Sequence, residues 1–253
     1  MLTTNRLGAD TGQPLIIAHG LFGSARNWGV LARRLSDARP VITVDMRNHG
    51  TSPWFDTNSY GDMAGDLAEI VRAQGGRADI LGHSMGGKAA MVLALQQPEL
   101  VHRLIVADIA PVAYGHSQTH LIDAMEAVDL QMVRSRRDVD AQLAAAVPED
   151  GVRAFLLQSL DLKGDAARWV LNLPSLRRAM ADIIGFPDIE GQFDGASLFL
   201  SGGASDYVKP SDHGAIRALF STAEFEVIDG AGHWLHAEKP REFEAALRRF
   251  LPG

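Results

Sequence analysis

The apolar residues of this chain fall into short, nearly continuous runs, each ending at Gly, Asp or Ser and most followed by an amphipathic stretch. The runs are PLIIAHG (14–20), PVITVDMR (40–47), ADILGHS (78–84), RLIVADIA (103–110), SLFLSGG (197–203) and FEVIDGAGH (225–233). Their Val/Ile/Leu character, without the alternation of a half-wet strand, predicts strands covered on both faces, as in a parallel sheet. Between them, NWGVLARRLSD, SYGDMAGDLAEIVRAQ, MGGKAAMVLALQQ, SDHGAIRALF and KPREFEAALRRFL carry apolar positions at helical spacing, and Pro240 suits a first helical turn. Strand followed by helix, repeated, predicts an α/β fold with a mostly parallel, doubly wound sheet.

The alternation stops between about Val112 and Pro187. That stretch is rich in Ala, Leu, Met and Arg, reads as helical, and has no linker composition at either end. It is expected to be a helical cap, residues 112–187, inserted into a core formed by 1–111 and 188–253.

Composition narrows the chemistry. At 253 residues and 46% hydrophobic, the chain can bury one sizeable core. A net charge of −7, with no Lys/Arg stripe interleaved with aromatics, argues against a nucleic-acid partner. The absence of cysteine excludes disulfides, thiolate zinc sites, iron–sulfur clusters and a cysteine nucleophile. The N-terminus has no apolar leader and no window approaches 18 unbroken apolar residues, so a cytoplasmic protein without membrane association is expected. The oligomeric state stays open.

One motif then stands out. In ILGHSMGGKAAM (80–91) a strand ends and a helix begins around Ser84, with Gly82 and Gly86 two places to either side. Gly-x-Ser-x-Gly is a weak pattern alone, but the strand–turn–helix setting is what a nucleophile elbow needs: an exposed Oγ, a tight backbone and a helix N-terminus aimed at developing negative charge. The competing reading is a capping serine with glycines for close packing.

A serine hydroxyl needs a base. Of nine histidines, His233 in GAGHWLHAEKP follows the last strand and precedes the last helix, on the sheet edge of Ser84. His102, His116, His120 and His213 read as solvated side chains, His83 as pointing away from the serine, and His236 as a hydrogen-bonding support. The His233/His236 pair lacks a third ligand, so no metal is expected. The acid that orients the base could be Asp108, closing RLIVAD, or Asp206, after SLFLSGGAS; both keep the order Ser, Asp, His. Two backbone N–H donors would complete the site, one from Met85 and one from the HGLFG turn, at Leu21.

Together these segments resemble the α/β-hydrolase superfamily over almost the whole chain. HGLFGSARNWGVLARRL, VDMRNHGTSP, LGHSMGGKAAM, ADIAPVAY, RWVLNLPSL and GAGHWLHAEKP narrow the resemblance to the small YbfF-type acyl esterases. The resemblance implies an α/β-hydrolase fold and a serine esterase or thioesterase, with Ser84 and His233 in a triad and no cofactor. It also bears on the acid. Most of the superfamily place it in the loop after the penultimate strand, where alignment of GGASDYV puts Ser205 rather than Asp206. The YbfF type uses the aspartate one strand earlier, here Asp108, with Asp206 the alternative. Lys88, one turn after Ser84, is expected to hold the DMRNHG loop through Asp45 or a backbone carbonyl.

The expected partner is a small-molecule acyl ester or thioester. Met125, Met132, Phe155 and Trp169 of the cap are candidates for an acyl pocket, or equally for packing of cap on core. The alternatives are a carbon–carbon bond hydrolase on the same scaffold, a lipase, for which no interfacial apolar face is evident, and a non-catalytic ligand-binding homologue.

Overall fold

The computed structural model describes residues 1–9, 11–164 and 166–251. Seven strands form the central sheet: β1 (Thr4–Leu7), β2 (Leu15–Ala18), β3 (Val41–Val44), β4 (Ala78–His83), β5 (Val101–Ala107), β8 (Ser197–Gly202) and β9 (Ala223–Ile228). Their order across the sheet is β1-β3-β2-β4-β5-β8-β9. All neighbours are parallel except β1, which runs antiparallel along β3. The sheet is therefore mostly parallel, as the apolar runs predict. The sequence reading has no counterpart for β1: TNRL lies at the edge, is largely exposed, and is held by backbone pairing that leaves no hydrophobic signal.

Successive side chains of a strand point to opposite faces, and both faces are covered. Leu15 and Ile17 join Leu81, Ile105 and Leu200 beneath α1 (Gly29–Leu35) and α11 (Pro240–Phe250). Ile16 and Ala18 join Ile80, Leu104 and Val106 on the other face, beneath α2 (Tyr60–Ala73) and α3 (Met85–Gln96). Local chemistry sets the helix ends. The Ser59 hydroxyl accepts the Asp62 N–H and the Asp62 carboxylate reaches back, closing a capping box on α2. α9 (His213–Leu219) and the short α10 (Leu235–Glu238) complete the α-helices among the described residues outside 108–196.

Residues between β5 and β8 carry α4 (Thr119–Glu126), α5 (Arg136–Leu143), α6 (Asp150–Leu156), α7 (Leu173–Arg178) and α8 (Met180–Ile184). One two-residue antiparallel pair, β6 (Leu160–Asp161) with β7 (Arg168–Trp169), interrupts what sequence alone reads as helix. Ile122, Met125, Leu143, Leu156 and Leu176 are buried in the same apolar cluster as the α2–α3 face of the sheet, so this segment has no core of its own. Polar backbone ties fix it to the DMRNHG loop: the Gly50 N–H donates to the Val170 carbonyl at 2.8 Å and the Asn172 N–H to the Asn48 carbonyl at 2.9 Å.

Candidate active site

The glycines around Ser84 have a steric cause. A Cβ on Gly82 would lie 2.3 Å from the Gly86 carbonyl oxygen, and one on Gly86 would lie 2.4 Å from that of Ala18. With both neighbours stripped of side chains, α3 can start against β2 and β4 directly. Ser84 turns between strand and helix at φ 52°, ψ −120°, a left-handed φ that a non-glycine residue adopts only under constraint. Its N–H is anchored on the Ala107 carbonyl at 3.0 Å.

His233, in the turn after β9, meets that serine. Its Nε2 lies 3.1 Å from Ser84 Oγ and its Nδ1 lies 2.7 Å from Asp108 Oδ2. A carboxylate at Nδ1 keeps the proton there, which leaves Nε2 free to accept the serine hydroxyl. Asp108 follows β5, is fully buried, and also has a positive φ of 52°. It accepts the Gly202 N–H at 3.0 Å and the Ser205 hydroxyl besides the imidazole. Asp206 is elsewhere: its side chain faces solvent, 4.0 Å from Lys209 Nζ. Ser205, one residue before it, supports Asp108. The ring of Tyr207 stacks on the His233 imidazole with centroids 3.9 Å apart.

The HGLFG turn is pinned by two histidines. The Met46 N–H donates to His19 Nε2 at 2.9 Å, and His19 Nδ1 donates to the Gly20 carbonyl at 2.8 Å. Phe22, at φ 62°, donates its N–H to His49 Nε2 at 3.1 Å, while His49 Nδ1 donates to the Arg47 carbonyl at 2.8 Å. Both rings thus work as neutral imidazoles. Burial lowers the pKa of His19 and takes that of His49 down to about 3. Ser159, from the segment between β5 and β8, donates to the Phe22 carbonyl at 2.8 Å. Among the described residues the Leu21 and Met85 N–H groups have no protein acceptor. Asp45 caps the same turn, accepting the Ala25 N–H at 2.8 Å. Sequence reasoning quoted DMRNHG without giving Asp45 or His49 this task; a buried-polar run directly after a strand was the available signal.

Other expectations need correction. His83 does not point away from the site: its Nε2 donates to the His233 carbonyl at 2.8 Å, bracing His233 from behind, and burial drives its pKa well below the ordinary value. His236 makes no hydrogen bond at Nδ1 among the described residues; it stacks on Trp28 at 4.0 Å, and burial takes its pKa to about 3. His102 is paired with Asp79 at 2.8 Å and His213 is stacked on Phe225 at 3.8 Å, so neither is simply solvated. Lys88 does not reach Asp45; its Nζ donates to three backbone carbonyls, those of Val112, Ile184 and Gly185.

A cavity of about 370 Å³ lies over Ser84. Leu121, Val152, Phe155, Ile183 and Ile184 form its apolar wall; Tyr114, His116, Gln118 and Tyr207 give it a polar side. Of the four apolar candidates, Phe155 alone lines it. Met125 and Trp169 are buried against each other, the indole N–H donating to the Met125 carbonyl at 2.9 Å, and Met132 is exposed.

Comparison with known proteins agrees with this architecture. A family model described as "Alpha/beta hydrolase family" matches residues 15–246. The sn-1-specific diacylglycerol lipase ABHD11 of Mus musculus is 42% identical over 260 residues, which span 99% of this chain and 85% of that protein. Esterase YbfF of Escherichia coli is 41% identical, over 94% of this chain and 92% of that one. Among solved structures, a marine microorganism esterase superposes with a TM-score of 0.94 at 38% identity, covering 99% of each chain.

Proposed function

The chain belongs to the alpha/beta hydrolase family and hydrolyses carboxylic esters; on that premise we propose that it is a serine hydrolase of esters or thioesters with small to medium acyl groups, working through an acyl-serine on Ser84. The observation that carries this reading is the unbroken line from the buried Asp108 through His233 to Ser84, at 2.7 and 3.1 Å, the last two lining the cavity.

In this reading Ser84 Oγ attacks the acyl carbonyl as His233 Nε2 takes its proton. Asp108 stays ionised, keeps the imidazole in the Nδ1–H form and steadies the imidazolium. The Leu21 and Met85 N–H groups receive the oxyanion, the second with the start of α3 behind it. Collapse expels the alcohol or thiol, which takes the proton from His233. Water, deprotonated by the same nitrogen, then releases the acid and restores the serine. Residues 112–187 act as the cap, supplying the apolar wall for the acyl chain.

The cavity volume lies in the range of small-molecule sites, about 300–1,000 Å³, which favours short and medium chains. The mouse relative's name adds acylglycerols, the substrates of the lipase alternative, to those to test. The experiment is a turnover screen of p-nitrophenyl esters of graded chain length beside acyl-CoAs and a diacylglycerol. The proposal expects a maximum at short to medium acyl length. Absence of turnover with every ester and thioester, by folded protein, overturns it.

A further inference from the structure

Lys88 is a buried side chain whose hydrogen-bond acceptors are all main-chain carbonyls. Its own N–H bonds the Ser84 carbonyl at 3.0 Å, which places it one turn into α3, and the residue is 1% exposed. Nζ donates to the carbonyls of Val112 at 2.9 Å, Ile184 at 3.1 Å and Gly185. An ammonium has three N–H donors, so all three are used. The rings of Tyr114 and Tyr60 lie 4.7 and 5.8 Å from Nζ. Burial alone accounts for its lowered pKa, with no acidic group contributing.

The three acceptors share one location in the fold. Val112 opens the inserted segment; Ile184 and Gly185 lie where it ends. The two passes of chain are joined there, the Tyr114 N–H donating to the Ile184 carbonyl at 2.9 Å. The Tyr60 hydroxyl, from α2, donates to the Ile183 carbonyl at 2.6 Å. Tyr60, Tyr114, Ile183 and Ile184 all line the cavity above Ser84. A shift of this neck therefore moves the cavity wall relative to the serine. Without Nζ, the Val112 and Gly185 carbonyls would lose a donor in a partly buried setting, a penalty that favours rearrangement of the neck.

We propose that Lys88 is a positioning residue, locking both ends of the cap to the helix that carries Ser84 and so fixing the acyl wall against the nucleophile. The kinetic consequence rests on the Ser84 reading; the lock itself does not, and amide exchange reads the lock without turnover.

The test compares Lys88→Met, which keeps length and apolar bulk, with Lys88→Arg, which keeps charge and donors. In the Met variant, KM for a medium-chain p-nitrophenyl ester should rise about tenfold while kcat falls less than about threefold, and chain-length preference should flatten. Amide exchange at 112–114 and 184–186 should quicken by about two orders of magnitude, with 104–107 in β5 unchanged. Lys88→Arg should recover most of the KM. Labelling of Ser84 by a fluorophosphonate should persist in the Met variant, which separates a failed lock from a failed nucleophile. Unchanged neck exchange, or a kcat loss with KM unmoved, overturns the proposal. Should the Met variant not fold, the wild-type Tyr114 amide decides: protection comparable to β5 supports the lock, and exchange as fast as in a surface loop refutes it.

Discussion

Replacing Asp108 by Asn tests the geometry of the site at its most constrained atom. The carboxylate receives three donors, the His233 Nδ1–H, the Gly202 N–H and the Ser205 hydroxyl, and is fully buried. An amide has one oxygen to offer in place of two. With its NH₂ toward His233, it faces a donor and forces the proton onto Nε2, where it blocks acceptance from Ser84. Turned the other way, the NH₂ meets the Gly202 N–H, a buried clash of donors worth about 1–3 kcal/mol. In either orientation the imidazolium loses its counter-charge. The expected loss is about 10³- to 10⁴-fold in kcat/KM, or about 4–5.5 kcal/mol at about 1.4 kcal/mol per tenfold. Asp206→Asn should stay within about twofold, since its exposed charge is screened by water. Ser205→Ala, which removes one of the three donors, should lose less than about tenfold. The assay is steady-state hydrolysis of a p-nitrophenyl ester, with thermal melts confirming that each variant is folded. An Asp108→Asn enzyme keeping more than about a tenth of the activity, or an Asp206→Asn enzyme losing as much, refutes the reasoning.

Gly86→Ala should lower stability by about 3 kcal/mol or more, because its Cβ would sit 2.4 Å from the backbone oxygen of Ala18; a melting temperature equal to wild type would contradict this. His49→Ala removes the acceptor of the Phe22 N–H and should lower kcat about tenfold with KM little changed, measured on the same ester. The third prediction concerns pH. Burial lowers the Lys88 pKa from 10.5 to about 7, and the facing Tyr60 and Tyr114 phenols, pushed up by burial, stay neutral there. Between about pH 7 and 10.5 the folded chain then binds fewer protons at Lys88 than the unfolded chain does, and Nζ, as a neutral amine, keeps two N–H donors for its three carbonyls. Stability of wild type relative to Lys88→Met should rise with pH across that window, by up to about 1.4 kcal/mol per pH unit. Denaturant midpoints at several pH values check the sign.

The strands and the serine were legible because burial and backbone geometry write directly into residue type. Strands covered on both faces must be Val/Ile/Leu-rich, and an elbow whose Cβ positions meet backbone oxygens must have glycine there. Which aspartate meets His233 was not legible from the residues alone. Asp108 and Asp206 both follow strands and both precede His233, and family resemblance was needed to prefer the first. What separates them, a serine at 205 supporting the buried carboxylate, is a tertiary contact spanning 97 residues. The same holds for Lys88, whose acceptors are carbonyls 24, 96 and 97 residues away and carry no side-chain signature. His236 misled for a physical reason: stacked on Trp28 and neutral, a polar residue packs as an apolar one.

The central claim is that hydrolysis passes through an acyl group on Ser84, and trapping that species tests it most directly. Acid quench during the burst with a p-nitrophenyl ester, followed by digestion and mass spectrometry, should place the acyl mass on the peptide containing Ser84. Ser84→Ala should show neither that adduct nor more than about 10⁻⁴ of wild-type kcat. An acyl group found on another residue, or Ser84→Ala turning over ester at an undiminished rate, would contradict the account.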